Sequence, residues 1–488
     1  MSLIYNDNMQ IIIITIADGL SVGLLIQSCS LKGEKMDSKI LIGAAVIVIV
    51  AVAGVGAFVL MNGNHGGSDP DPFVTNSDTN RLLVYGNADN NNYLDKDDIK
   101  FINDIVKNGE WDKKKYPFAD ANQDGKVTSA DADTVQNFLD GKKGTMYYMD
   151  WNLEVSSVPY PLTGKFAVAY DSSLWIGQIV GFYEDVTYMS RPQGFVDGLR
   201  EDMFPGAAER IEAQGGTQRY EFDLERLIAA NISVCLGDTN ALTDNFISKV
   251  KSYPSITPIL LPENREHNGL NWSNSVITLG VMMNKQDNTK EYIKYIEEVS
   301  GKIESAVKEA TKSQETKTYL LVYCDPYEPG WYVDIRGTDP ELYGDVVTCE
   351  KLPLKSAMAP QGDGYIQTSV ENILALDPDV IIFSTWGPFM ENYTIDEYKA
   401  LVHEKLDYLK ESTAYKTNQC YSISYEVYGT LPGIAGLIYL GSQIWPDLFD
   451  EKQGLEYIQE YFDKFTKISG TDVKTVTGLL PLVQKDIE

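Results

Sequence analysis

The hydrophobic pattern places one long apolar run near the N-terminus, ahead of a body of alternating short elements. Ile40–Met61 is an uncharged run of 22 residues. As a helix it would be about 33 Å long, which matches a hydrocarbon core of about 30 Å. Three lysines lie between residues 32 and 39, and residues 62–80 contain no Lys or Arg. The positive-inside rule therefore predicts a membrane anchor over residues 36–61, with residues 62–488 outside the cytoplasm.

A shorter apolar run, Ile11–Ile26, contains Asp18. Three interpretations stay open for it: a weak second span, a signal-peptide core, or translated sequence upstream of a start at Met36. Residues 1–35 are therefore left as an uncertain extension or weak span. Residues 62–80 are rich in Gly, Asn, Ser and Asp, and this composition predicts a flexible tether.

From about residue 150 the pattern predicts short buried strands separated by helical stretches. The predicted strands are Phe166–Tyr170, Ile232–Leu236, Ile256–Leu261, Tyr319–Tyr323, Val380–Phe383 and Cys420–Ser424. Each is apolar and bounded by polar residues, Gly or Pro, as parallel strands buried on both faces are. Alternation with helices indicates the α/β class.

An internal repeat divides this body into two lobes. Leu224–Val234 aligns with Val370–Val380, each a short helix that leads into a strand. Between the copies, Asn288–Ser313 contains no Pro and has apolar residues at helical spacing, at Tyr292, Ile293, Ile296, Val299 and Ile303. The pattern predicts one long connector helix. We assign residues 150–287 to an N-terminal lobe, 288–313 to the connector, 314–470 to a C-terminal lobe and 471–488 to a tail.

Composition narrows the possible functions. The formal net charge of −29 makes nucleic acid an unlikely class of partner, because a phosphate backbone would be repelled. With three histidines, and five cysteines that form no CxxC pair, a His-rich or Cys-rich metal centre is not expected. We find no P-loop, zinc-protease or nucleophile-elbow motif.

Residues 120–131 form a twelve-residue pattern of oxygen-bearing positions. Gly125 stands at position 6, where the sharp turn needs a positive φ. Calcium takes six to eight oxygen ligands, which explains this spacing. The predicted ligands are Asp120, Asn122, Asp124, Lys126 through its carbonyl, Thr128 and Asp131.

A second copy of the pattern begins 33 residues earlier in the sequence. Asn92 stands at its position 6, and Asn is the next best residue after Gly at positive φ. Asn at position 1 removes one charge, so weaker calcium binding is expected here. The predicted ligands are Asn87, Asp89, Asn91, Tyr93 through its carbonyl, Asp95 and Asp98.

Apolar residues follow each loop at the spacing of a short helix: Ile102 and Ile105, then Val135 and Phe138. Two such loop–helix units resemble a type I dockerin, a small all-α domain, over residues 81–143. The resemblance implies a cohesin-like partner, chosen partly by Lys96-Asp97 and Ser129-Ala130. A calcium-stabilised spacer without a partner is the alternative.

Two α/β lobes joined by one long helix resemble the substrate-binding proteins of ABC importers for iron–siderophore, haem and cobalamin. The resemblance covers about residues 151–470 and is strongest at VENILALDPDVIIFS (Val370–Ser384) and GTLPGIAGLIYLGSQIWPDLF (Gly429–Phe449). It implies two Rossmann-like lobes, an ABC permease as partner, and a binding protein rather than an enzyme. It also implies that Glu225 and Glu371, one at the tip of each lobe, dock into arginine pockets of the permease.

Aromatic residues are frequent in the loops expected at the interlobe cleft, which suits a bulky, partly polar ligand such as an iron or cobalt chelate. The candidate ligand-binding residues are Tyr170, Ser172, Trp175, Tyr220, Tyr327, Trp331, Tyr332, Tyr365, Trp386, Tyr425 and Tyr428. Arg191, Arg219 and Arg336 either meet ligand carboxylates or form surface ion pairs. Two other functions stay open: a structural or adhesion protein acting through the calcium module, and a dockerin-bearing surface hydrolase.

Overall fold

The structure is a computed structural model. It describes residues 82–215, 221–262, 272–313, 316–325, 328–334, 351–358, 365–385, 394–428, 431–476 and 478–487, together with the backbone of three strands between residues 2 and 26. The chain divides into two compact units, Met1–Pro70 and Asp71–Glu488. The predicted anchor and tether lie outside the described residues. Within the described part, no helix is both long and apolar enough to cross a bilayer.

The first unit contains a three-stranded antiparallel sheet. Its strands β1, β2 and β3 pair in chain order, and β2 and β3 coincide with the apolar run that begins at Ile11. Their bounds are Ser2–Asn6, Met9–Thr15 and Ser21–Ile26.

The second unit begins with the two predicted loop–helix segments. Helix α1 is Lys96–Asn108 and helix α2 is Ser129–Leu139. Ile102, Ile105, Val135 and Phe138 are all buried, which confirms the predicted apolar faces. An antiparallel hairpin follows, formed by β4 (Gly144–Met149) and β5 (Val155–Tyr160).

The hairpin joins the loop–helix module to the first lobe. The N–H of Tyr85 donates to the carbonyl of Tyr147 at 2.9 Å, and the N–H of Met149 donates to the carbonyl of Leu83 at 2.8 Å. The Tyr160 hydroxyl donates to the carbonyl of Phe138 at 2.6 Å. The module is therefore packed against the body and shares one hydrophobic core with it.

The first lobe is built on a five-stranded parallel sheet of order β10-β9-β6-β7-β8. The predicted strands at residues 166, 232 and 256 are present and slightly shorter than expected. Buried apolar side chains on both faces explain why each short segment is extended. The strands are β6 (Phe166–Val168), β7 (Val186–Met189), β8 (Glu212–Ala213), β9 (Val234–Gly237) and β10 (Thr257–Leu260).

Helices cover this sheet and lead out of the lobe. They are α3 (Ser172–Val180), α4 (Gln193–Asp197), α5 (Ala207–Arg210), α6 (Leu224–Ala229), α7 (Asp244–Val250) and α8 (Trp272–Met282).

The connector helix, α9, runs over Gln286–Ser313 and begins two residues before the predicted start. At about 1.5 Å per residue its 28 residues span roughly 42 Å. All five predicted core positions are buried. Gly280 allows α8 to approach it closely, since a Cβ at that position would lie 2.5 Å from Thr289 Cγ2.

The second lobe contains a mixed sheet of order β14-β12-β11-β15-β16-β17, with β13 paired to β11. The three predicted strands pair in parallel, but β12, β14 and β17 are antiparallel additions that the sequence pattern did not reveal. The strands are β11 (Lys317–Asp325), β12 (Glu328–Asp334), β13 (Leu354–Ser356), β14 (Tyr365–Thr368), β15 (Val380–Thr385), β16 (Cys420–Ser424) and β17 (Leu482–Val483).

The helices of the second lobe are α10 (Val370–Leu376), α11 (Ile395–Asp407), α12 (Thr413–Lys416), α13 (Tyr425–Tyr428), α14 (Gly433–Ile444), α15 (Glu451–Phe465) and α16 (Gln484–Ile487). Helix α15 also contacts the first lobe: Phe462 packs against Trp175 of α3 with ring centroids 6.0 Å apart. The N–H of Lys467 donates to the Gln178 side chain at 3.0 Å. The end of the chain therefore helps to close the first lobe.

Candidate functional site

The two candidate calcium loops are held in shape by the same set of hydrogen bonds. In both, the N–H of position 5 donates to side-chain oxygens of positions 1 and 3, and the N–H of position 7 donates to position 5. In both, the N–H groups of positions 3 and 9 donate to the carboxylate of position 12. These bonds hold the oxygen-bearing side chains of each loop toward the loop's interior.

The position-12 carboxylates also start the two helices. Asp95 and Thr128 are the N-caps of α1 and α2, and each forms a capping box with Asp98 or Asp131 three residues later. Both carboxylates are fully buried. The sequence therefore uses one acidic residue for two tasks, since it closes the loop and caps the start of the helix.

The loops bury negative charge without a positive side chain to balance it. Burial raises the pKa of Asp98 to about 8, and the carboxylate of Asp89 adds to the shift. Burial likewise raises the pKa values of Asp89 and Asp120. None of these carboxylates is ion-paired with a described Lys or Arg. Buried carboxylates surrounded by further oxygens fit a hard cation, which would relieve this unfavourable charge.

The oxygen donors suit calcium better than a transition metal. Among the described residues, no group of three or more His, Cys, Asp and Glu side chains is placed to hold a metal by itself. The loops instead combine carboxylates with Asn and Thr side chains and backbone carbonyls, and calcium accepts this mixture.

The loops differ at position 6. Gly125 has φ +89°, as the pattern predicts, but Asn92 is not among the residues with positive φ. The prediction that Asn92 takes this conformation is wrong. At position 4, Asn90 and Gln123 have φ values of +63° and +58° in the two loops.

The carboxyl edge of the first-lobe sheet brings together a tyrosine, two aspartates and an arginine. The Tyr170 hydroxyl donates to Asp238, 3.2 and 3.3 Å from its two oxygens. Arg191 lies 3.6 Å from Asp171 and 4.0 Å from the centroid of the Phe195 ring. Burial raises the pKa of Asp171, and the guanidinium of Arg191 opposes this shift. Arg191 thus forms a buried ion pair, where the sequence offered a surface pair or a ligand contact.

Three other residues that the sequence assigns to the ligand site are buried side chains. The Ser172 hydroxyl is buried at the start of α3 and has no hydrogen-bond partner among the described residues. Trp175 is fully buried and lies 4.7 Å from Phe204 between ring centroids. Tyr428 is also fully buried, against Gly436. In this structure Trp175 and Tyr428 contribute to packing.

In the second lobe the candidate residues Trp331 and Tyr332 lie on opposite faces of the sheet. Trp331 and Tyr332 are neighbours on β12, so their side chains point in opposite directions. Trp331 packs against α11, where Lys405 Nζ lies 4.7 Å from its ring centroid and Tyr408 lies 6.2 Å away. Tyr332 is opposite Tyr323 on β11.

Tyr323, Tyr332 and Tyr365 form a tyrosine face on the second-lobe sheet. The rings of Tyr323 and Tyr365 lie 4.8 Å apart between centroids, and all three residues are partly exposed. Tyr323 was not among the predicted ligand-binding residues because it lies inside an apolar strand. The alternation of side chains along that strand indicates the face of the sheet to which Tyr323 points. Tyr220, Tyr327 and Trp386 lie outside the described residues, as do Arg219, Arg336 and the side chain of Tyr425.

The repeat glutamates occupy equivalent positions on the two lobes. Glu225 and Glu371 are exposed in the first turns of α6 and α10. Asp223 and Ser369 cap these helices. After each helix a left-handed residue, Asn231 or Asp377, turns the chain toward the following strand. The repeat seen in the sequence is therefore a repeat of backbone conformation.

Comparison with known proteins supports the architecture. A family model described as periplasmic binding protein matches residues 205–426. A periplasmic solute binding protein from Veillonella parvula DSM 2008 superposes with a TM-score of 0.53 at 14% identity, covering 68% of this chain and 97% of that one. The TroA-like periplasmic binding protein FepB from Veillonella parvula gives a TM-score of 0.52 at 16% identity, covering 69% and 99%. No curated protein matches the sequence.

The matched family model and both solved structures are of binding proteins. The two lobes and their connector therefore have the fold of periplasmic binding proteins. At these levels of identity the structural likeness extends to the fold alone.

Proposed function

We propose that this protein is a membrane-anchored substrate-binding protein of an ABC importer, with its lobes outside the cytoplasm. The observation that carries the proposal is the architecture: two α/β lobes joined by one 28-residue helix, in a chain that matches the periplasmic binding protein family model over parts of both lobes. A rigid connector permits modest closure around a bound solute. Binding and delivery to a permease then require no covalent chemistry.

The ligand class we propose is an iron–siderophore, haem or a corrinoid-type chelate. The tyrosine face supports this, since partly exposed tyrosines offer flat apolar surface together with hydroxyl groups for a bulky, partly polar ligand. Tyr170, near the carboxyl edge of the first-lobe sheet, adds a hydroxyl already oriented by Asp238.

The test is retention of a coloured ligand. The full chain, purified in detergent, is incubated with haem, cobalamin and a panel of ferric siderophores, passed through a desalting column and examined by absorbance and mass spectrometry. One of these compounds should be retained at micromolar concentration. Retention of none of them contradicts the proposed ligand class.

A matched pair of variants locates the ligand. Tyr365→Ala should weaken binding about tenfold, because a buried aromatic contact is worth about 1–2 kcal/mol. Tyr408→Ala is the control, since Tyr408 is 60% exposed and lies beside Trp331 on the opposite side of the sheet. Equal losses in both variants would place the ligand elsewhere.

The exposed glutamates of the repeat support docking to a permease, because two carboxylates on separate lobes suit bidentate arginine contacts. Glu225→Gln combined with Glu371→Gln should leave ligand affinity unchanged and lower uptake of labelled ligand by at least tenfold in native cells. Glu309→Gln, on the exposed side of the connector, is the control. Loss of ligand binding in the double variant would contradict a docking role.

We also propose that both loops of the module bind calcium, the first more weakly because Asn87 replaces an acid at position 1. The ligands would be Asn87, Asp89, Asn91, the Tyr93 carbonyl, Asp95 and Asp98 in one loop, and Asp120, Asn122, Asp124, the Lys126 carbonyl, Thr128 and Asp131 in the other. Bound calcium would neutralise the buried carboxylates and stabilise the folded loops.

Docking to a cohesin-like domain is a second candidate function for the same module. The observation in its favour is that Lys96, Asp97, Ser129 and Ala130 are all exposed although the module is packed against the body. Pull-down with cohesin domains in calcium, compared with EDTA, tests it. The absence of capture in calcium would leave the module as a structural element.

A further inference from the structure

Two residues of the first loop, Asn92 and Leu94, form hydrogen bonds with the connector helix. The Leu94 N–H donates to Gln286 Oε1 at 2.7 Å, and Gln286 Nε2 donates back to the Leu94 carbonyl at 3.0 Å. Asn92 Nδ2 lies 3.4 Å from Glu297 Oε1. Gln286 and Glu297 are about 16 Å apart along a helix, whereas Asn92 and Leu94 span at most about 7 Å, so the side chains of Gln286 and Glu297 extend from both directions to reach the loop.

One peptide group joins the proposed calcium site to the connector. The carbonyl of Tyr93 is the proposed position-7 ligand, and the N–H of Leu94 belongs to the same planar peptide. In a trans peptide these two groups point in opposite directions. A cation that binds the carbonyl therefore fixes the plane whose other edge donates to Gln286, and it polarises that N–H, which strengthens the bond.

The connector is held at this same point by the first lobe. Asn288 Nδ2 donates to the carbonyl of Val180 at the end of α3 at 2.9 Å, and Lys285 Nζ donates to the carbonyl of Gly181. Farther along, the Tyr295 hydroxyl donates to the carbonyl of Tyr457 in the second lobe at 2.8 Å. The first loop thus contacts the helix at Gln286, beside the contacts with the first lobe, and again at Glu297, two residues beyond the contact of Tyr295 with Tyr457.

The second loop has no equivalent contact among the described residues. Its position-8 residue, Val127, forms no hydrogen bond with the connector, and Asp124, Gly125 and Lys126 are exposed. A cation in this loop would order the module without affecting the connector helix.

From this difference we propose that calcium in the first loop regulates the two-lobed receptor by holding the N-terminal end of the connector helix. The inference rests on the calcium binding proposed above. By linkage, the connector raises the calcium affinity of the first loop by the same factor as calcium stabilises the connector end.

Hydrogen exchange with mass spectrometry on the full chain in detergent, with saturating calcium or EDTA, tests the coupling. In the wild type, calcium should slow exchange about five- to tenfold both in residues 87–98 and in residues 286–297. If residues 87–98 are protected but 286–297 are unchanged, the coupling is wrong while calcium binding stands. If neither segment responds, the calcium site itself is refuted.

Variants at Gln286 give an independent measurement. Gln286→Ala should abolish the calcium-dependent protection of 286–297 while that of 87–98 remains, and calorimetric titration should show a five- to tenfold weaker first site. Gln286→Glu keeps the acceptor but loses the donor, so an intermediate loss is expected. Lys294→Ala, exposed on the same helix, is the control. Unchanged calcium affinity in Gln286→Ala overturns the proposal.

Discussion

The two loops of the calcium module share an internal design and differ in their surroundings. The same hydrogen bonds connect positions 1, 3, 5, 7, 9 and 12 in each. The first loop is attached to the connector helix through Leu94 and Gln286, whereas the tip of the second, around Gly125, is exposed. The comparison teaches that a loop's pattern specifies what it binds, and its neighbours specify what that binding controls.

The largest expected effect separates the loops at position 12. At calcium concentrations about 100-fold above Kd, each occupied site adds about 2.7 kcal/mol to the free energy of unfolding. Asp98→Asn should remove the calcium-dependent gain in the free energy of unfolding of the two-lobed body, because the first loop contacts the connector. Asp131→Asn should leave most of that gain, because the second loop does not. Thermal unfolding of the full chain in calcium and in EDTA measures both. Equal losses of the calcium-dependent stabilisation in the two variants would contradict the proposed difference between the loops.

An exchange of the residues at position 1 gives a smaller effect. Asn87 is fully buried, and its amide nitrogen donates to the carbonyls of Leu82 and Asn91 at 2.9 and 2.8 Å. Asn87→Asp would place a carboxylate oxygen against both carbonyls, at a cost of about 2 kcal/mol.

The matched change, Asp120→Asn, removes one acceptor for the Gly125 N–H and should cost about 1–2 kcal/mol. Urea unfolding in EDTA compares the two. A stabilising Asn87→Asp would show that position 1 of the first loop faces away from those carbonyls.

The smallest effect is expected at position 6. Gly125→Ala should cost about 1 kcal/mol, because φ +89° is unfavourable for a residue with a Cβ. Asn92→Ala should cost less than about 0.5 kcal/mol, since Asn92 does not adopt a positive φ. Unfolding of the calcium-loaded variants is the measurement. A larger loss at Asn92 would indicate that its contact with Glu297 is stronger than its 3.4 Å length suggests.

Much of the fold follows from local patterns in the sequence. The connector differs from its predicted bounds by two residues at its start, and the six predicted strands are present. These elements are apolar on the faces that pack, so periodicity alone identifies them. Strand β12, which contains Gly330, and strand β14 carry mixed polar and aromatic residues. The pattern of neither strand indicates that the two pair with each other.

Placement of the site residues was harder to predict. Trp175 was assigned to a cleft because aromatic residues are frequent there, yet the surrounding SSLWIGQIV segment contains no charged residue on any side, which is the signal of a buried helix. The contact between Leu94 and Gln286 joins residues 192 positions apart. The contact depends on how the module packs against the body, and the spacing of residues along the sequence does not predict such packing.

The contact of Phe462 with Trp175 has a consequence for synthesis of the chain. Ribosomes add about 5–20 residues per second, so nearly 300 residues and tens of seconds separate the appearance of the two rings. During that interval the tryptophan of the first lobe has no partner from α15, and the lobe emerges with an apolar surface open to other chains. Chaperones that shield such surfaces would be needed most in the period before the last helix is made.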